Sequence, residues 1–186
     1  MLAVRRFAKL HPETQSVLES ITGEDLNGDG KVVVQVDSYT VDFDAANENT
    51  DAYYQMAGVT RLSAELSSGG KTYIFLLEDP EGFETQTGAL QYLHGTVPDD
   101  PETTDADWRE MVYRWTDCPV LTGLDLGDYA SDAVQSESGS SQELLSRYYI
   151  GIRGAWNKDT ADLQAGGEAL WRALTAGAVS TAGAEG

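Results

Sequence analysis

Val59–Glu78 reads VTRLSAELSSGGKTYIFLLE, and the fold turns on how its two halves are read. In Val59–Leu66, Leu62, Ala64 and Leu66 alternate with Arg61, Ser63 and Glu65, the period-two pattern of a half-buried strand. Ser67-Ser68-Gly69-Gly70 supplies turn chemistry, and Lys71–Glu78 (KTYIFLLE) is rich in apolar, β-branched and aromatic residues. The spacing predicts a β-hairpin.

Working outward, Lys31–Phe43 (KVVVQVDSYTVDF) carries the strongest β signal, with Val32, Val34 and Val36 on one face. Beyond Asp37-Ser38 the alternation resumes at Tyr39, Val41 and Phe43, giving one long bent strand or two strands around a corner. Gly88–Val97 and Arg147–Arg153 (RYYIGIR) read as further strands, the latter with Tyr148, Ile150 and Ile152 on one side. Helices are expected at Pro12–Ser20, as a single turn at Thr50–Met56, and after Thr104. The third would carry Trp108, Met111, Val112 and Trp115 on one face until Pro119 ends it. Asp159–Val179 reads as a closing helix, weakened by Gly166-Gly167. Pro98–Asp107 and Ser131–Gln142 read as solvated, flexible loops.

Hairpins with appended helices, without regular strand–helix–strand alternation, predict an α+β fold. The expected form is mainly antiparallel β, sandwich or barrel-like, with two to three appended helices and extended termini. Residues 1–22 form an N-terminal arm or short helix, 23–179 one globular domain, and 180–186 a flexible tail.

The chain has 186 residues, with 31 Asp and Glu against 12 Lys and Arg, a formal net charge of −19. A duplex-nucleic-acid binder needs a basic stripe to displace counterions; none is present, which argues against a sequence-specific nucleic-acid partner. Arg5-Arg6 is too small to hold an anionic membrane surface, and no apolar run approaches the roughly 20 residues of a span. The first 20 residues mix charged residues with Pro and lack a long apolar core, so no secretory leader is expected. Cys118 stands alone and forms no internal disulfide.

The balance is Asp-heavy and Lys-poor, Arg outnumbering Lys eight to four. A carboxylate-rich surface stays hydrated at low water activity, and molar salt screens its self-repulsion to a Debye length of about 3 Å. In composition the whole chain resembles proteins of halophilic archaea and their viruses.

One motif carries metal chemistry. Asp25, Asn27 and Asp29, followed by Gly30 and Lys31, match the first half of a D-x-N-x-D-G cation loop. Over these seven residues the chain resembles EF-hand and dockerin loops, which implies oxygen ligands from Asp25, Asn27 and Asp29 and from the Lys31 backbone carbonyl. A structural Ca²⁺ is the cofactor so implied. The second half departs from the pattern: Val33 and Val36 stand at positions nine and twelve, where the family closes the coordination shell. The other reading is a polar turn opening a strand, in which Asn27-Gly28 and Asp29-Gly30 tolerate positive φ.

Catalytic residue types are few. His11 adjoins Pro12, His94 ends an apolar run, and Cys118 in WTDCPV lacks any nucleophile signature. Carboxylate pairs such as Glu78-Asp79, Asp99-Asp100 and Asp42 with Asp44 arise by frequency among 31 acids. No catalytic residue is therefore assigned, and a non-enzymatic protein is expected; a small enzyme would need His94, Cys118 and carboxylates to converge. A Ca²⁺-dependent binding module built on Asp25–Asp29 is the alternative.

Met1–Leu10 (MLAVRRFAKL) is the one cationic, apolar segment of an anionic chain. Arg5, Arg6, Phe7, Lys9 and Leu10 would form an arm that docks on the acidic surface of a neighbouring copy, or else a loose terminus. Adjacent Tyr53-Tyr54 and Tyr148-Tyr149 suit protein interfaces, one of each pair pointing outward. Terminal extensions, a β-rich body and the composition together look like a tail-tube, neck or decoration subunit of a haloarchaeal tailed virus. That resemblance implies a virion location, copies of itself in a ring or tube and other virion proteins as partners, and assembly in host cytoplasm of high internal salt.

Overall fold

The structure is a computed structural model that describes residues 2–4, 37–39, 41, 52–67, 72–99, 107–130 and 138–184. Its strands are β1 (Leu2–Val4), β2 (Asp37–Tyr39), β3 (Ile74–Leu77), β4 (Val112–Arg114), β5 (Asp128–Ala130), β6 (Ser138–Ser140) and β7 (Tyr149–Ile152). Its α-helices are α1 (Ala52–Leu66), α2 (Pro80–Thr87), α3 (Pro119–Thr122), α4 (Ser141–Leu145) and α5 (Lys158–Leu174). The fold is α+β.

β3 organises it. Ile74, Phe75, Leu76 and Leu77 are all buried, as in a strand covered on both faces. Phe75 and Leu77 face a core with Leu62 of α1, Phe83 of α2, Leu90, Met111 and Val112. Ile74 and Leu76 face the opposite core, with Trp115, Cys118, Leu121, Leu145, Ile150, Leu170 and Leu174. At about 1.5–3 kcal/mol for each large apolar side chain, these two cores supply most of the drive to fold. Helices rather than a second sheet cover both faces of β3 among the described residues. The strand order is β2-β1-β3-β7-β4, antiparallel across β3-β7-β4 and parallel across β2-β1-β3.

The expected hairpin is absent: Val59–Leu66 is the second half of α1, and β3 pairs with β1 and β7 instead. Leu62 and Leu66 lie two residues either side of Ala64, but they are also four apart, and the fold uses the second spacing. Gly58 and Leu62 are buried and Leu66 half-buried, whereas Ala64 is exposed. The last turn of α1 has no basic residue of its own. Arg153, just beyond β7, supplies one. Its guanidinium donates to the carbonyls of Leu66 at 2.5 Å and of Glu65, Ser67 and Thr72 at 3.3 Å each. A cation so placed satisfies orphan carbonyls and meets the negative end of the helix dipole. Burial lowers the Arg153 pKa, opposed by the Glu65 carboxylate.

Other expectations change similarly. Trp108 to Trp115 is not one helix: a 3₁₀ turn (Trp108–Glu110), β4 and a second 3₁₀ turn (Trp115–Asp117) replace it. Pro119 opens α3 rather than ending a helix, its fixed φ and missing N–H suiting a first position. Within Ser131–Gln142, residues 138–140 pair with β5 and Ser141 begins α4, so that part is not a loop. Gly88–Val97 forms one isolated bridge, Leu90 with Arg153, instead of a strand. Of Lys31–Phe43, Asp37–Tyr39 is β2 and Val41 is buried; the rest lies outside the described residues, as do Pro12–Ser20 and Thr104. The strand at Arg147–Arg153 and the closing helix form at Tyr149–Ile152 and Lys158–Leu174. Gly167 does not break that helix; the Tyr73 ring lies against it, and an added Cβ would fall 1.8 Å from Tyr73 Cε2.

The chain reverses after α5 at Gly177, with φ of +75°, a conformation that favours glycine. Residues 180–184 then return to the sheet. Thr181 bonds Asp117, and Ala182 is buried beside Met111 and Val112, so this part of the expected tail is anchored.

Candidate functional site

A chemically varied ledge lies where the loop after α2 meets the turn before β4. Asp79 caps α2 by accepting the Gly82 N–H at 2.9 Å, and Gly88 ends it in the left-handed conformation, φ 55°. Glu84, buried on α2, accepts the Leu90 N–H at 2.9 Å and so holds the following loop from beneath. Burial raises the Glu84 pKa, opposed by the Leu90 and Ala89 amides.

Above that anchor the chain makes a tight turn. Tyr92 N–H donates to the Thr96 carbonyl and Gly95 N–H to the Tyr92 carbonyl, each at 2.8 Å, with Gly95 at φ +94°. The turn folds His94 onto Tyr92, rings 5.2 Å apart and 10° from parallel, while His94 Nε2 shares a 2.7 Å hydrogen bond with Thr96 Oγ1. Leu93 N–H donates to the Glu110 carbonyl at 2.9 Å, fastening this turn to the Trp108–Glu110 turn. There Asp107 accepts the Arg109 N–H at 3.0 Å, and the guanidinium lies 4.5 Å above the Trp108 ring centroid. Trp108 meets Tyr149 edge-on at 5.7 Å.

The result is two stacked pairs, Tyr92–His94 and Trp108–Arg109, joined by one backbone hydrogen bond. His94 is exposed and the other three are half-buried. The indole N–H groups of Trp108 and of Trp156 are buried with no hydrogen-bond partner among the described residues. Such a surface offers π faces, a cation and an imidazole, which suits recognition by stacking.

Of the residues singled out in the sequence, Asp25, Asn27, Asp29 and Lys31 lie outside the described residues, as do Arg5, Arg6, Phe7, Lys9, Leu10 and His11. Among the described residues, no three His, Cys, Asp or Glu side chains gather in a group that could hold a metal ion. Cys118 and His94 do not converge. Cys118 is fully buried in the core behind Ile74 and Leu76, and His94 stacks on Tyr92 at the opposite core. Burial, with the Asp117 charge adding to it, pushes the Cys118 thiol up to about 12, far from a nucleophile. Glu78 lies 3.5 Å from the Tyr148 hydroxyl and Asp79 caps a helix, so that pair is divided between two structural roles. Tyr148 is buried in one core and Tyr149 is half-buried against the other, where it meets Trp108, so the expected outward tyrosine of this pair is instead packed; the side chains of Tyr53 and Tyr54 lie outside the described residues.

Sequence reading did not single out Arg109, Tyr92 or Arg153. An arginine next to a tryptophan was the available signal for the first. For Arg153 it was a lone cation flanked by Ile152 and Gly154 in an apolar strand. No protein-family model, curated protein or solved structure matches this chain, so the ledge is read from its own geometry.

Proposed function

We propose that this is a non-enzymatic, self-assembling structural protein in which the Tyr92–His94 and Trp108–Arg109 ledge is a contact surface between copies. The observation that carries this reading is Arg109 stacked on a half-buried tryptophan at the surface of a chain of net charge −19. Aromatic residues and Arg are the side chains enriched at protein interfaces, and a cation on an acidic body is complementary to the rest of another copy. The cationic Arg5, Arg6 and Lys9 add to that complementarity. A ledge that docks on a different surface of its neighbour makes a head-to-tail contact, which closes into rings or stacks into tubes. Composition supports the more specific placement as a tail or neck component of a haloarchaeal tailed virus, assembled in a cytoplasm of high salt. A Ca²⁺ held by Asp25, Asn27 and Asp29 would be a structural addition to this reading.

Light scattering in molar salt tests it. Wild type is expected to give a mass well above the 20.1 kDa of one chain. Arg109→Glu is expected to weaken association about tenfold or more, as for a residue at the centre of an interface. A wild-type protein that stays monomeric over a broad concentration range overturns the proposal.

A further inference from the structure

β4 lies at one end of the described sheet, bonded only to β7 among its strands. Such an edge invites pairing with another chain unless something blocks it. Trp115 N–H donates to the Tyr148 carbonyl at 2.8 Å, so Tyr113 and Trp115 direct their backbone groups toward β7. Val112 and Arg114 direct theirs away. Among the described residues one is met by a side chain of the C-terminal segment and the other by a side chain of the turn that follows β4. The Val112 carbonyl accepts from Ser180 Oγ at 3.3 Å, and the Arg114 N–H donates to Asp117 Oδ2 at 3.2 Å. The same Asp117 carboxylate accepts Thr181 N–H at 2.9 Å and Thr181 Oγ1–H at 2.6 Å.

Residues 180–184 therefore form a strap along the β4 edge, locked by one carboxylate. Its hold is slight. Val179 is exposed, and of residues 179–183 only Ala182, a single methyl, is buried. The Thr181–Asp117 bonds are at the surface, where water competes for them.

We infer that Ser180–Ala184 is a displaceable strap, and that its release lets β4 pair antiparallel with β4 of a second copy about a twofold axis. The edge is self-complementary in the way such pairing requires. With Tyr113 opposite Tyr113 of the other copy, Val112 faces Arg114 across the axis. The carbonyl released by Ser180 then meets the Arg114 N–H, which exchanges its local capping bond to Asp117 for it, twice over by symmetry. This rests on the self-assembly reading and deepens it: the ledge contact is head-to-tail, whereas β4 pairing is twofold and would join two assemblies back to back. The closed strap reduces the apparent pairing affinity by the fraction of molecules in which it is open.

The test uses full-length protein at matched concentration in molar salt, with substitutions that add no charge. Thr181→Pro with Ala182→Gln removes the clamp and the methyl that fits. The twofold pairing should tighten about tenfold or more, read as a rise in dimer mass by sedimentation. Thr181→Val, which removes only the hydroxyl bond, should move the same way by less, and serves if the double variant does not fold. Arg114 has φ −66°, which proline adopts without strain, so Arg114→Pro removes the outward N–H. Added to the strap variant it should restore the wild-type mass, while Arg114→Gln, matched in charge, should not.

A folded strap variant whose mass equals wild type overturns the strap, and so does an Arg114→Gln control that dissociates as fully as Arg114→Pro. Wild type that assembles through the ledge, with unchanged mass in the strap variants, rejects the strap alone. A monomeric wild type whose strap variant dimerises rejects the ledge and keeps the strap.

Discussion

Trp108 and Trp115 stand seven residues apart and sit on opposite sides of the sheet, where they are treated differently. Trp115 is 2% exposed, and its indole N–H donates to Gln142 Oε1 at 2.8 Å. The Gln142 amide in turn donates to the Leu121 and Leu124 carbonyls at 2.8 Å each. One side chain thus closes the end of α3, the start of α4 and the second 3₁₀ turn, in a core where Cys118 is equally sealed. Trp108 is half-buried, its N–H lacks a partner among the described residues, and its π face is taken by Arg109. A buried polar group left unpaired costs free energy that packing elsewhere must offset. The core behind Ile74 and Leu76 is closed by paired polar groups, and the ledge over the other core carries the features on which the proposed contact rests.

The largest expected effect tests the closed side. Gln142→Leu leaves the Trp115 N–H and the Leu124 carbonyl without their partner and takes one of its donors from the Leu121 carbonyl, which keeps the Leu124 N–H, at roughly 1–3 kcal/mol for a buried unpaired group. A loss of about 3 kcal/mol or more is expected in urea unfolding; a loss below about 1 kcal/mol would mean that water replaces the amide.

Alkaline pH probes the same core. The folded Cys118 thiol keeps its proton to about 12, whereas an unfolded thiol loses it near its ordinary value of about 8.5–9. Its contribution is whole below pH about 8.5 and is lost as pH rises toward 12, by up to about 1.4 kcal/mol per pH unit. Half-buried Tyr73 and Tyr113, also raised by burial, add loss in the same direction at higher pH. Cys118→Ala should flatten the stability–pH slope between about 9 and 12 relative to wild type; parallel curves would show that the thiol is more open than its packing indicates.

The smallest effect sharpens the contrast. Trp108→Phe deletes an N–H that bonds nothing among the described residues, so relief of its desolvation cost, roughly 1–3 kcal/mol, offsets the lost ring area and the net change in stability should be small. Trp115→Phe deletes one that is bonded, strands Gln142 Oε1, and should cost about 1–2 kcal/mol more than Trp108→Phe. Equal costs on thermal melting would erase the distinction between the two sides.

Local reading reached the elements whose pattern admits one period. Ile74–Leu77 is apolar at every position and Tyr149–Ile152 is β-branched or aromatic at every position but Gly151, and both are strands. Gly167 interrupts a helical pattern without ending it, because the space that its missing side chain leaves is filled by Tyr73, a contact from 94 residues away in sequence. Leu62, Ala64 and Leu66 fitted two periods at once, and a period shared by helix and strand carries no decision. Trp108, Met111, Val112 and Trp115 matched a helical face by spacing, yet a stretch that crosses from one core to the other cannot keep one face. The ledge was the least legible part, since Tyr92, His94, Trp108 and Arg109 are fastened together by the Leu93–Glu110 hydrogen bond, between turns far from one another in any local pattern.

The sequence by itself determined the acidity, the lone thiol and Ile74–Leu77 as a strand, because each depends on composition or on neighbours a few residues away, whereas it reached the α+β class through a hairpin that the fold does not contain. Which face each tryptophan took, how Arg153 came to end a helix 87 residues earlier, and why the β4 edge is guarded were decided only by the tertiary structure. Those contacts join distant residues whose match is set by the sheet order, and no local pattern encodes that order.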